Sequence, residues 1–237
     1  MKRTIRSVKL LTVIGLGLAA FACDDPGDGG GGGGNPNDGP TAQELLELTQ
    51  TCDPLPGVSK FKTDYNVSST IQICRLNGAI WWRADADIDC DGGSSSECKD
   101  DPNYQSTTSA KDSQGNFVDA SKVPFLVVPM AGNGFDPKAY GIKTGWSAYG
   151  SAGAMIYNGK VVYGPYADAG PAGIIGELSQ AAAAKLGIPT SPISGGVSSG
   201  VTYIVFTGDN TYVDPIESAS MANSLGKSLA NTLLENN

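Results

Sequence analysis

Acid–base chemistry in this chain falls to its carboxylates, because the sequence contains no histidine. That absence excludes Ser-His-Asp and Cys-His hydrolases and any His-ligated zinc site. Two acids are set apart by their surroundings. Asp168 lies in YGPYADAGPAGIIGE at the predicted end of a strand, and Glu177 follows nine residues later, in the predicted first turn of an alanine-rich helix. A strand end and a helix start joined by a Gly/Pro loop can carry two carboxyl groups to opposite sides of a groove. Such a pair is the apparatus of glycoside hydrolysis, in which one acid protonates the leaving oxygen and the other activates water or attacks. Tyr166 is the candidate face for stacking on a sugar ring. The plain alternative makes Asp168 a turn residue and Glu177 a partner of the helix dipole.

A second acidic group is Asp85, Asp87, Asp89 and Asp91, followed by Gly92. The spacing from Asp87 to Gly92 copies the opening of a calcium loop, but position twelve falls on Cys98 where such a loop needs Glu. Binding of a cationic substrate ranks first, with Asp87 and Asp89 as the groups that would hold ammonium ions. A solvated strand edge ranks second and calcium third. No metal or cofactor is required by these residues.

Several elements must position these acids. Thr41 and Glu44 have capping-box spacing ahead of Leu45, Leu46 and Leu48, which predicts a short helix. Residues 79–88 (AIWWRADADI) alternate in their second half, with Ala84, Ala86 and Ile88 on one face and the acids on the other. Residues 123–130 read as a buried strand. Residues 154–157 and 160–163 flank Asn158-Gly159, the signature of a type I′ hairpin. Residues 176–186 read as a helix ended by Gly187, residues 201–207 as a strand, and residues 217–234 as a closing amphipathic helix. One strand-dominated domain of mixed α+β type over 41–237 is the simplest organisation.

Ahead of it, residues 1–22 combine Lys2, Arg3, Arg6 and Lys9 with an apolar run ending in Ala20-Phe21-Ala22, a signal peptide too short to span a bilayer. Cleavage after Ala22 would leave Cys23 first, as in lipid-modified bacterial proteins, although the same triplet fits ordinary secretion. A Gly-rich tether follows to residue 40. The expected location is secreted or at the cell surface, anchored by lipid to a bacterial membrane. Removing the leader takes four basic and no acidic residues from 16 and 24, a balance of −12. This is unlike a nucleic-acid binder. In an oxidising compartment the four remaining cysteines form two disulfides. Of the three connectivities, Cys90–Cys98 with Cys52–Cys74 is favoured, and no CxxC spacing suggests zinc.

Five stretches taken together resemble the chitosanases of glycoside hydrolase family 75: residues 84–92 (ADADIDCDG), 101–107 (DPNYQST), 123–128 (VPFLVV), 135–142 (FDPKAYGI) and 158–177 (NGKVVYGPYADAGPAGIIGE). The resemblance implies an endo-acting enzyme that cuts β-1,4 linkages of chitosan with inversion. It maps that family's essential Asp and Glu onto Asp168 and Glu177. The family often has Asp-Thr-Asn-Gly after its catalytic Asp, where this chain has Ala169-Gly170-Pro171, a departure that bears on subsite shape. The same segment is similar to small double-psi barrels, which implies a six-stranded β-barrel with flanking helices. Glu177, with the higher ordinary pKa by about 0.4 unit, is assigned the acid role. The rival readings are a hydrolase of another amino-sugar polymer, such as peptidoglycan, and a surface lipoprotein that binds a glycan without cutting it.

Overall fold

Residues 39–143 and 150–237 are described by the computed structural model. The leader over 1–22, Cys23 and the tether as far as residue 38 lie outside the described residues.

The chain enters through helix α1 (Ala42–Leu48), whose capping box forms as predicted: Thr41 Oγ accepts the Glu44 N–H while the Glu44 carboxylate accepts the Thr41 N–H. Strand β1 (Cys74–Leu76) pairs with the start of β2 (Ala79–Asp89). Strand β3 (Leu126–Pro129) is shorter than the predicted 123–130, although Val123 and Phe125 ahead of it are buried. The hairpin β4 (Gly150–Tyr157) and β5 (Lys160–Gly170) turns on Asn158 at φ 46° and Gly159 at φ 75°, as a type I′ turn requires. Strand β6 (Glu177–Ser179), helix α3 (Gln180–Leu186), strands β7 (Val197–Phe206) and β8 (Tyr212–Val213), and helix α4 (Ala219–Asn236) complete the order, with short α2 (Ser96–Lys99) after β2.

Six strands close on themselves in the order β2-β6-β3-β5-β4-β7, and β7 returns to pair with β2. Two of the pairings, β2 with β6 and β3 with β5, are parallel, and the other four are antiparallel. The protein is therefore a strand-dominated α+β barrel with flanking helices, as the resemblance implied. Its interior holds Trp82, Ala84, Ala86 and Ile88 from β2, Leu126 and Val128 from β3, Tyr166 from β5 and Tyr203 from β7. The Trp82 and Tyr203 rings stack there at 5.4 Å. A second apolar layer, including Trp81, Ile156 and Phe206, lies against α1 and α4.

The helix predicted over 176–186 is corrected at its start. Glu177, Leu178 and Ser179 form a strand, because Asp87–Asp89 of β2 pair with them on one side and Leu126 of β3 meets Leu178 on the other. Helix α3 begins only after Ser179, whose hydroxyl caps it by accepting the Ala182 N–H at 3.1 Å. The predicted C-cap Gly187 is in place at φ 80°. The closing helix starts two residues later than predicted, after the cap Ser218. Both favoured disulfides, Cys52–Cys74 and Cys90–Cys98, are present.

Candidate active site

A cleft of about 700 Å³ opens at one end of the barrel, and both Asp168 and Glu177 line it. They arrive on β5 and β6, the two strands that flank β3. Asp168 is set against Val127 by a register shift: Tyr166 opposes Leu126 and Asp168 opposes Val127, leaving Ala167 as the extra residue. In a regular strand residues 166 and 168 would share a face, and the extra residue separates them. Tyr166 turns into the barrel, only 2% exposed, while Asp168 meets the cleft. The expected stacking role of Tyr166 is thereby corrected, since a ring packed in the core has no face to offer a sugar.

The Asp168 carboxyl is 9% exposed. Its Oδ1 accepts the N–H groups of Ser109 at 2.7 Å and Ala169 at 2.8 Å. Ser109 is presented by a small loop that Thr108 pins by donating its hydroxyl to Ala110 and Val118 carbonyls. Burial pushes Asp168 above the ordinary carboxylate range, and the bonds from Ser109 and Ala169 oppose that shift by favouring the anion.

Glu177 lies directly across from Asp87 in the β2–β6 register. The loop before it is held on both sides. Lys62 binds Gly173 and Ile175 through its backbone, and the Asp87 N–H donates to the Gly176 carbonyl at 2.8 Å. Gly176 sits at φ 117°, and a Cβ there would fall 1.9 Å from Asp85 Oδ1, so only glycine fits. Burial pushes Glu177 up to about 8, reinforced by the negative charges of Asp168, Asp87, Asp91 and Asp101. No Lys or Arg stands among the described residues that line the cleft.

The four acids around β2 divide. Asp87 is exposed and lines the cleft, raised by partial burial and by Asp64. Asp89 is only 4% exposed, and its Oδ1 accepts the Asp91 N–H at 2.7 Å. The expected ammonium-holding role is corrected for Asp89, whose carboxyl is buried beside Asp168. Asp91 is pinned by the N–H and side-chain amide of Gln105 at 2.8 and 2.9 Å, and burial raises it to about 6. Asp85 is raised to about 7 by burial and Asp87. Oxygens of Asp89, Asp91 and Asp168 converge within 4.8 Å of one another, a different trio from the predicted calcium-loop set.

The sequence reading missed Asp64, Tyr65, Asp101, Asn103 and Ile193, which also line the cleft. Tyr65 and Ile193 are 70% and 68% exposed, large apolar groups left in water beside the cleft. Asp101 and Asn103 fall within a stretch that carried the family resemblance, the one available signal for them.

Residues 86–235 match the family described as fungal chitosanase of glycosyl hydrolase group 75. Endo-chitosanase C of Aspergillus oryzae is 30% identical over 165 residues, covering 65% of this chain and 40% of that protein. Endo-chitosanase B of the same organism is 29% identical over 160 residues, covering 60% and 64%. The chain thus spans less than two thirds of either relative. The matched stretch contains β5, β6 and every acid that lines the cleft except Asp64, and on that match the chain belongs to glycosyl hydrolase group 75.

Proposed function

We propose that the protein is an endo-acting glycoside hydrolase that cleaves β-1,4 linkages of chitosan with inversion, Glu177 serving as general acid and Asp168 as the base that activates water. The observation that carries this reading is the contrast between the two carboxyls in one cleft. Burial raises both, but Asp168 accepts two backbone N–H bonds that favour its anion, while the charges around Glu177 hold its proton to about 8. Acid and base are thus assigned by environment.

Inversion requires that the two carboxyls leave room between them for the attacking water. A Cβ at Gly170 would lie 3.5 Å from Glu177 Oε2, so the Glu177 carboxyl hangs over a position two residues beyond Asp168. An inverting pair stands roughly 6.5–9.5 Å apart, which leaves room for water, against roughly 5 Å in a retaining pair. A polymer of glucosamine suits the walls. Asp64, Asp87, Asp91 and Asp101 offer carboxylates to its ammonium groups, and Tyr65 supplies the exposed ring that Tyr166 does not. Export through the leader, with Cys23 as lipid anchor, would bring the cleft to a substrate outside the cell.

The test is release of reducing ends from soluble chitosan, run beside peptidoglycan, by the purified protein and by Asp168→Asn and Glu177→Gln with folding checked by circular dichroism. Turnover of chitosan in the parent and its loss in both folded variants is the expected result. A folded parent that cuts only peptidoglycan, or binds chitosan without cutting it, overturns the proposal.

A further inference from the structure

Asp89 is the most enclosed acid of the site. Its Oδ1 takes the Asp91 N–H, while Oδ2 is buried and receives no hydrogen bond from any N–H or hydroxyl of the described residues. A buried carboxylate oxygen without a donor is costly, and so is a second anion beside Asp168. One oxygen of each carboxyl nonetheless lies within 4.8 Å of the other, and no Lys or Arg among the described residues lines the cleft around them, a juxtaposition that costs least when one of the two keeps a proton. Asp168 already accepts two N–H bonds and Asp89 only one, so the anion belongs on Asp168 and the proton on Asp89.

We propose that Asp89 is a positioning residue that stays protonated and donates its Oδ2 proton to Asp168, orienting that carboxylate and holding it as the anion. The catalytic half of this statement rests on the reading of Asp168 as base. The groups facing the pair are Asp91 beyond β2, Tyr166 on β5 and Glu177 on β6, none of them a cation. Burial, then the charges of Glu177 and Asp168, raise Asp89 well above the ordinary carboxylate range, in keeping with a retained proton. A neutral Asp89 also spares the site a second negative charge beside Asp168. Asp168 alone then carries the charge that the base needs, opposite a protonated Glu177.

Two variants and two readouts test this. In Asp89→Ala the donor is lost, Asp168 becomes more basic, and the acid limb of the kcat/KM profile on chitosan moves up by about one pKa unit. In that variant kcat falls while KM changes little. In Asp89→Asn the side-chain amide replaces the donor, so the limb returns toward the parent position and kcat exceeds that of the alanine variant. An acid limb that moves down in Asp89→Asn, as loss of a negative charge would cause, overturns the proposal. So does a limb unmoved in both variants. The second readout is the infrared C=O stretch of neutral carboxyl groups at pH 7, where Asp89→Asn loses one band present in the parent. An unchanged spectrum overturns the shared proton even if Asp89→Ala fails to fold. Loss of the band in a protein inactive on chitosan would leave the proton in place and reject the catalytic reading alone.

Discussion

Asp168 and Glu177 are both sunk into protein, and hydrogen-bond donors separate them: two N–H groups reach Asp168, and acids surround Glu177. A general acid must hold its proton, so the rate should fall as pH rises through about 8, where Glu177 loses it. Glu177→Gln should lower kcat by about 10²- to 10⁴-fold with little change in KM. A profile still rising above pH 9, or a smaller loss in the folded variant, would remove Glu177 from the acid role. Asp87 is exposed in the cleft wall, and if it holds a substrate ammonium group as proposed, Asp87→Asn should raise KM for chitosan by about two- to fivefold. An unchanged KM would withdraw that contact. That Asp168 and Glu177 share one cleft was legible in the sequence because a spaced set of stretches carried both. Tyr166 was not, because its direction depends on one extra residue in β5, which alternation in YGPYADAG does not reveal.

At the scale of elements, the three-residue strand β6 decides where Glu177 points. It was read as helix because ELSQAAAA favours helix locally, and only its neighbours in space, β2 and β3, draw its first three residues into the barrel. Ser179 ends that strand and starts α3. Its buried hydroxyl accepts the Phe125 N–H at 2.9 Å and the Ala182 N–H at 3.1 Å and donates to the Val123 carbonyl at 2.9 Å. Ser179→Ala strands these groups, so it should lower unfolding stability in urea by about 1–3 kcal/mol. It should also reduce kcat by releasing the strand two residues from Glu177. A stability within about 0.5 kcal/mol of the parent would deny Ser179 this anchoring role. The α1 capping box and the β4–β5 hairpin were legible because each is specified by residues adjacent in the chain.

Across the whole molecule, the acids in and beside the cleft make the fold work against its own charge. Asp85 is raised to about 7, Asp91 to about 6 and Glu177 to about 8, with Asp87, Asp89 and Asp168 also raised, mainly by burial. An acid whose folded-state pKa is raised contributes stability that is complete below its unfolded value and lost as pH climbs through the folded one. Asp119 runs the other way: burial raises it, but Ser121, Ser94 and Lys122 outweigh that and hold it at about 2, so its contribution is lost only in stronger acid. The melting temperature should therefore be highest near about pH 4–5 and decline toward pH 8. A melting temperature that is flat or rising across that window would contradict the buried charge of the cleft. Closure of the barrel was beyond the reach of spacing and periodicity, since it depends on β7 returning to β2 across more than a hundred residues, and only the likeness to double-psi barrels implied it. The measurement that bears most directly on the account is the anomeric configuration of the first reducing ends released from chitosan, followed by proton NMR before the sugars equilibrate. The two-carboxylate arrangement predicts the α-anomer first, by inversion of the β-linkage; the β-anomer first, or no new reducing ends from the folded protein, would contradict it.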